Sequence, residues 1–214
     1  MQDKAGDVKQ SAFALVGDIA KFCPLHLVDL LEHFVPMLVQ SVEPVSTAAS
    51  NNACWALGEV TFSMNDRMSP YAPSMLEALL PVLQANRISQ NVSDNAAITL
   101  GRLANACPDV VAHFLPQILV AWCKALSKVR AQPEKAMAFQ GLCFVVSKNP
   151  EAALPVFGNL CLAIGSWGFK APDELKQIFH ELFKNFHQLK PGEWDQFMGS
   201  LDPALLDVLR QYGV

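Results

Sequence analysis

One short pattern returns four times along this chain and limits what it can fold into. Ala12-Phe13-Ala14-Leu15-Val16-Gly17 is echoed by Ala53-Cys54-Trp55-Ala56-Leu57-Gly58 and by Ala96-Ala97-Ile98-Thr99-Leu100-Gly101. Ala138-Phe139-Gln140-Gly141-Leu142-Cys143 repeats it more loosely, and the leading alanines stand 41, 43 and 42 residues apart. Repetition at such a period marks stacked supersecondary units, none of which can bury its apolar face without its neighbours. Six residues after Gly17, Gly58, Gly101 and Cys143 come Cys23, Met64, Cys107 and Asn149, three of them followed by proline. A proline there ends one helix and favours a fresh start.

Between these helices lie leucine-rich segments of a second kind, each with a proline: 27–39 with Pro36, 71–83 with Pro73, 110–126 with Pro116 and 152–164 with Pro155. Proline in the first turns of a helix bends it without preventing it. Sustained period-two alternation and Asn-Gly or Asp-Gly hairpin turns are absent from the sequence. A period near 42 made of two antiparallel helices predicts an all-α HEAT-repeat α-solenoid. In such repeats the proline-bearing helix comes first, and Asp7-Val8-Lys9 fits the turn into the second. The expected organisation is therefore the second helix of a truncated repeat over 1–24, about four helix pairs over 25–190, and a C-terminal cap over 191–214. On this reading the chain is a piece of a longer array, with an apolar flank at its first helix and a genuine C-terminus.

Half of the chain is apolar, 17% is charged and the net charge is −4. That balance predicts no direct nucleic-acid partner, which would need clustered Lys and Arg to neutralise phosphates. The six cysteines contain no CxxC pair, so they read as small buried apolar residues of a reducing compartment. The sequon Asn91-Val92-Ser93 reads as chance in that setting. Apolar stretches such as 110–123 are interrupted by His113, Pro116 and Gln117, so no membrane insertion is expected. GxSxG, HExxH, P-loop and GxGxxG motifs are all missing, and the pairs His26/His33 and His180/His187 lack a third ligand. The expectation is a protein that is not an enzyme, with no cofactor and no metal.

Aligning the four related helices separates packing from candidate function. Ala12, Ala53, Ala96 and Ala138 form an unchanging column, and Val16, Leu57, Leu100 and Leu142 stay aliphatic; both read as core. Glycine recurring at Gly17, Gly58 and Gly101 costs helix stability, about 1 kcal/mol each against alanine, which points to close helix contact. The column Ala14, Trp55, Ile98, Gln140 changes size and polarity from repeat to repeat, as no repeating interface requires. Around Trp55 gather the amides of Asn51, Asn52 and Asn95 and the carboxylates of Asp18 and Glu59. Amides can pair with a peptide backbone, an indole can cover an apolar side chain, and carboxylates attract Lys or Arg. An extended basic peptide suits that surface. Alternatively, Trp55 fills a gap between repeats.

The segments 13–18, 51–59 and 95–103, with the terminal Tyr212-Gly213-Val214, resemble the last HEAT repeats of the transportin family, nuclear import receptors of the importin-β superfamily. The similarity runs from about Gln2 to Val214. It implies a cargo-binding role: a nuclear localisation signal of the proline-tyrosine type held as an extended chain on a concave face lined by the second helices. The tryptophan matching Trp55 would contact the N-terminal hydrophobic or basic element of that signal. Asn51, Asn52, Asn95 and Ile98 match its surroundings, and Asp18 an acidic residue nearby. The resemblance further implies cargo that is often RNA-binding protein, and shuttling between cytoplasm and nucleus. Ran GTPase and nucleoporins would be partners of the full-length family, with the Ran site in repeats outside this segment. Thr47 and Ser89 depart from the family by standing where apolar groups are expected beside the cargo. The alternative function is a HEAT scaffold that assembles folded partners, as in a phosphatase complex.

Overall fold

The structure is a computed structural model that describes residues 6–45 and 47–214; residues 1–5 of the expected first unit lie outside it. Among the described residues there is no strand. Helix α1 spans Gly6–Phe22, and after a 3-10 segment (Pro24–Leu30) come α2 (Leu31–Gln40) and α3 (Ala48–Met64). A second 3-10 segment (Asn65–Tyr71) leads into α4 (Ala72–Gln84), followed by α5 (Gln90–Ala106), α6 (Pro108–Leu126) and α7 (Pro133–Lys148). The chain continues through the single turn α8 (Pro150–Ala153) to α9 (Phe157–Gly165), α10 (Asp173–Leu189), α11 (Pro191–Gly199) and α12 (Pro203–Arg210).

These helices sort into two layers. The long helices α1, α3, α5, α7 and α10 each pack on the next, while α2, α4, α6, α9 and α12 stack in the same order beside them. Contacts of α2 with α3, α4 with α5 and α6 with α7 tie the layers together. The long helices start at Gly6, Ala48, Gln90, Pro133 and Asp173, following the period of the alanine column. The all-α HEAT-repeat solenoid is what the periodicity predicts.

Local chemistry explains the boundaries. Thr47 holds an extended backbone and its hydroxyl accepts from Ser50 N at 3.1 Å, capping α3; Ser89 takes the same position before α5. The two residues noted as departures from apolar character therefore stand at helix starts, where hydroxyls are preferred. The helix following Cys107 opens on Pro108, and α7 opens on Pro133, in the first turn where a missing N–H costs nothing. The first two proline-bearing units begin as 3-10 helix before settling into α2 and α4, Pro36 lies inside α2 without breaking it, and Pro155 stands in the 3-10 turn that separates α8 from α9.

Helix α6, at 19 residues, is long and apolar enough to cross a membrane by length and composition, contrary to the sequence expectation. Its His113 and Gln117 do not interrupt the apolar character enough to fail that test. Here Val111, Leu115, Ile118 and Trp122 are all buried in the two-layer stack, and the Trp122 indole N–H donates to Ala97 O of α5 at 3.0 Å. It is a core helix of the solenoid.

At the far end, Tyr212 is buried against Phe179, with ring centroids 5.1 Å apart, and stacks on Phe183. Its carbonyl lies 2.9 Å from His180 Nδ1. Gly213 follows at φ +81°, and a Cβ there would strike the His180 ring. Glycine is needed at that position for both reasons.

Candidate inter-helix binding face

The face around Trp55 begins with a glycine. A Cβ on Gly17 would fall on the benzene edge of the Trp55 indole, so the missing side chain on α1 is what lets the ring of α3 lie across it. Trp55 remains half-buried. It therefore fills the gap between two repeats on one side and presents apolar surface on the other.

Beside the ring runs a ladder of amides. Asn52 Nδ2 donates to Gln10 O of α1 at 3.0 Å, and Asn51 Nδ2 donates to Asn52 Oδ1 at 3.3 Å. Asn95 Nδ2 of α5 then donates to Asn51 Oδ1 at 3.1 Å. Three helices are thus joined by side chains that are only half-buried. Each amide carries two N–H groups and two carbonyl lone pairs, so each retains capacity for a further partner. The ladder holds the amides in place before any ligand arrives.

The acidic and apolar members behave differently from one another. Asp18 is exposed on α1, one residue beyond the glycine seat. Glu59 is not the available carboxylate that its sequence position suggested. Its Oε1 accepts from Arg102 Nη1 at 2.8 Å, with each side chain 7% exposed. The Arg102 guanidinium also lies 5.5 Å from the ring centroid of Phe62. A Cβ on Gly58 would crowd both Thr99 and Arg102, so this glycine opens the space for the pair. Ile98 is 7% exposed and offers only an edge to the face. The pairing was missed in the sequence, although Glu59 and Arg102 occupy equivalent positions of adjacent repeats and their opposite charges were the available signal.

Close contact continues along the layer. Thr99 Oγ1 donates to Cys54 O at 2.8 Å. A Cβ on Gly101 would meet the backbone of Ala138, and one on Gly141 the carbonyl of Gly101. Asn105 Nδ2 lies 3.1 Å from both Gly101 O and Met137 O, bridging α5 and α7.

A surface of this build, in a two-layer helical stack with a 42-residue period, can be compared with known proteins. A family profile described as "Importin subunit beta-1-like, TPR repeats" matches residues 1–148. The chain belongs to the importin-β family. It is 36% identical to "Transportin-1" of Oryza sativa subsp. japonica over 218 residues, covering 99% of this chain and 24% of that protein. To "Transportin-1" of Homo sapiens it is 35% identical over 216 residues, covering 100% and 24%. To "Importin subunit beta-2" of Schizosaccharomyces pombe it is 31% identical over 228 residues, covering 100% and 23%. Within the family it is a transportin-type segment, and it spans about a quarter of the length of these relatives.

Proposed function

We propose that this chain is the C-terminal cargo-binding part of a nuclear import receptor. It holds an extended nuclear localisation signal of the proline-tyrosine type on a concave face formed by α1, α3 and α5. The observation that carries this reading is a half-buried indole, seated on Gly17, beside a pre-ordered amide ladder and an exposed carboxylate. Trp55 covers an apolar side chain of the signal. Asn51, Asn52 and Asn95 pair with its backbone through their remaining N–H and carbonyl capacity, and Asp18 attracts its Lys or Arg. Ile98 and Glu59 support the face from beneath, Glu59 by fixing Arg102. The proposed partners are such cargo signals, with Ran GTPase and nucleoporins engaged by other parts of a full-length receptor shuttling between cytoplasm and nucleus. No catalytic role is assigned.

Val8, Leu15 and Phe22, seven residues apart on α1, are 46%, 59% and 72% exposed. In this reading they form the flank on which a preceding repeat stacks.

Binding of a fluorescein-labelled proline-tyrosine signal peptide to the chain and to Trp55→Ala tests the proposal. Removing a central aromatic anchor costs roughly 2 kcal/mol or more, a loss in affinity of roughly thirtyfold. Equal affinity of both proteins would remove this face from the cargo site.

A further inference from the structure

A second candidate lies at the other end of the long-helix layer. Where α5 and α7 lock together through glycine, α7 and α10 meet along a shorter stretch. The reason is visible in the sequence of α10, which has lost the Ala…Leu-Gly pattern and presents the large buried residues Leu175, Phe179, Leu182 and Phe186. Bulky side chains hold α10 away from α7, and a groove with a volume of about 610 Å³ opens between them. Phe144, 44% exposed, forms its floor with Ile178 and Leu182. The exposed amides of Asn105, Gln140, Gln177 and Asn185 line its walls. Glu174 and Glu181 stand on the α10 side, and no lysine or arginine is among the lining residues. Glu181 Oε2 lies 3.3 Å from Lys184 Nζ, an exposed pair that a ligand cation can replace at little cost. Lys148, which sits 5.5 Å from the Phe144 ring centroid, is neutralised by Asp109 at 2.7 Å.

An aromatic floor, amide walls and two exposed carboxylates, of which only Glu181 has a lysine partner, repeat the chemistry of the Trp55 face in a deeper setting. We infer that the α7–α10 groove is a second subsite for one extended peptide chain: an apolar residue of the peptide rests on Phe144 while an adjacent Lys or Arg pairs with Glu174 and Glu181. The inference rests on the cargo-peptide reading of the Trp55 face, because both lie on the same layer of long helices. At the usual spacing of packed helices the groove is roughly 25 Å from Trp55, about eight residues of extended chain. A peptide long enough to reach both sites gains affinity because its second contact becomes intramolecular.

The test uses two fluorescein-labelled peptides with the chain: the proline-tyrosine signal peptide alone, and the same peptide lengthened at both ends by about ten residues, each extension carrying a leucine next to two arginines. The lengthened peptide is expected to bind more tightly. Phe144→Ala, and separately Glu174→Gln with Glu181→Gln, should weaken it roughly tenfold while leaving the short peptide unchanged. The glutamine pair should also flatten its salt dependence. Helical circular dichroism of the variants must match the parent, since Phe144 and both glutamates are exposed. If the lengthened peptide gains nothing, or loses nothing in these variants, the groove is no subsite. If both peptides ignore Trp55→Ala but the lengthened one still responds to Phe144→Ala, the groove stands and the Trp55 reading fails. If a folded protein competes for the groove and the lengthened peptide does not, the peptide assignment is overturned.

Discussion

Carboxylates one repeat apart in the sequence have opposite fates here, and the difference separates binding from stability. Asp18 is exposed, whereas Glu59 is enclosed with Arg102 at 2.8 Å. Arg102 Nε has no hydrogen-bond partner among the described residues, so the guanidinium already sits under-satisfied and depends on the glutamate and on Phe62. Removing one member of a buried pair leaves an uncompensated charge, which costs roughly 3 kcal/mol or more, while replacing both by apolar groups of similar volume is close to neutral. Glu59→Gln and Arg102→Met should each lower the urea midpoint strongly, and Glu59→Leu with Arg102→Met should recover most of it. Asp18→Asn should leave the midpoint within about 0.5 kcal/mol of the parent but weaken a basic signal peptide at low salt. A stable Arg102→Met single variant would contradict the enclosed pair.

Between elements, glycine decides how closely helices approach, and its positions are unequal. Gly101 faces the backbone of Ala138 across α5 and α7, whereas a Cβ on Gly158 in α9 would meet nothing within 4 Å. Gly101→Ala must push two helices apart and is expected to cost about 1–3 kcal/mol. Gly158→Ala should instead gain about 0.5 kcal/mol by restricting the unfolded chain. Thermal unfolding of both variants gives the comparison, and equal small effects would mean that α5 and α7 are not in contact there. This is also the scale at which the sequence was most legible. The alanine and glycine columns located the long helices and their facing surfaces because a packing position admits few residue types. The amide ladder was legible only as composition: three asparagines were visible, but their pairing across α1, α3 and α5 depends on register. The α7–α10 groove was hidden for a related reason. A lost pattern says that the helices no longer lock, not what opens between them.

For the whole molecule, burial of ionisable groups sets how stability changes with pH. Lys135 is 2% exposed, with its ammonium 4.7 Å from the Trp167 ring centroid and 3.2 Å from Ser166 Oγ. Burial lowers its pKa to about 8, against an opposing pull from the Asp94 charge. The unfolded chain keeps that proton up to the ordinary value of 10.5, so the unfolded state binds more protons above pH 8 and this lysine makes stability rise with pH. The buried thiols act in the other direction. Burial holds Cys54, Cys123 and Cys161 up to about 12 and raises Cys107 and Cys143 as well, from an ordinary 9.0. Above pH 9 the unfolded chain releases protons that the folded chain retains, so each thiol lowers stability as pH rises. Each group contributes at most about 1.4 kcal/mol per pH unit, and five thiols outweigh one lysine. Stability under reducing conditions should therefore be nearly level around pH 8, where the two effects balance, and fall increasingly steeply from about pH 8.5 upward. Lys135→Met should make the fall begin earlier and run steeper between about pH 8 and 10, where the lysine opposes the thiols. Urea midpoints of parent and variant across that range decide the matter: coincident profiles would place the lysine in solvent, and a flat parent profile above pH 9 would place the thiols there too.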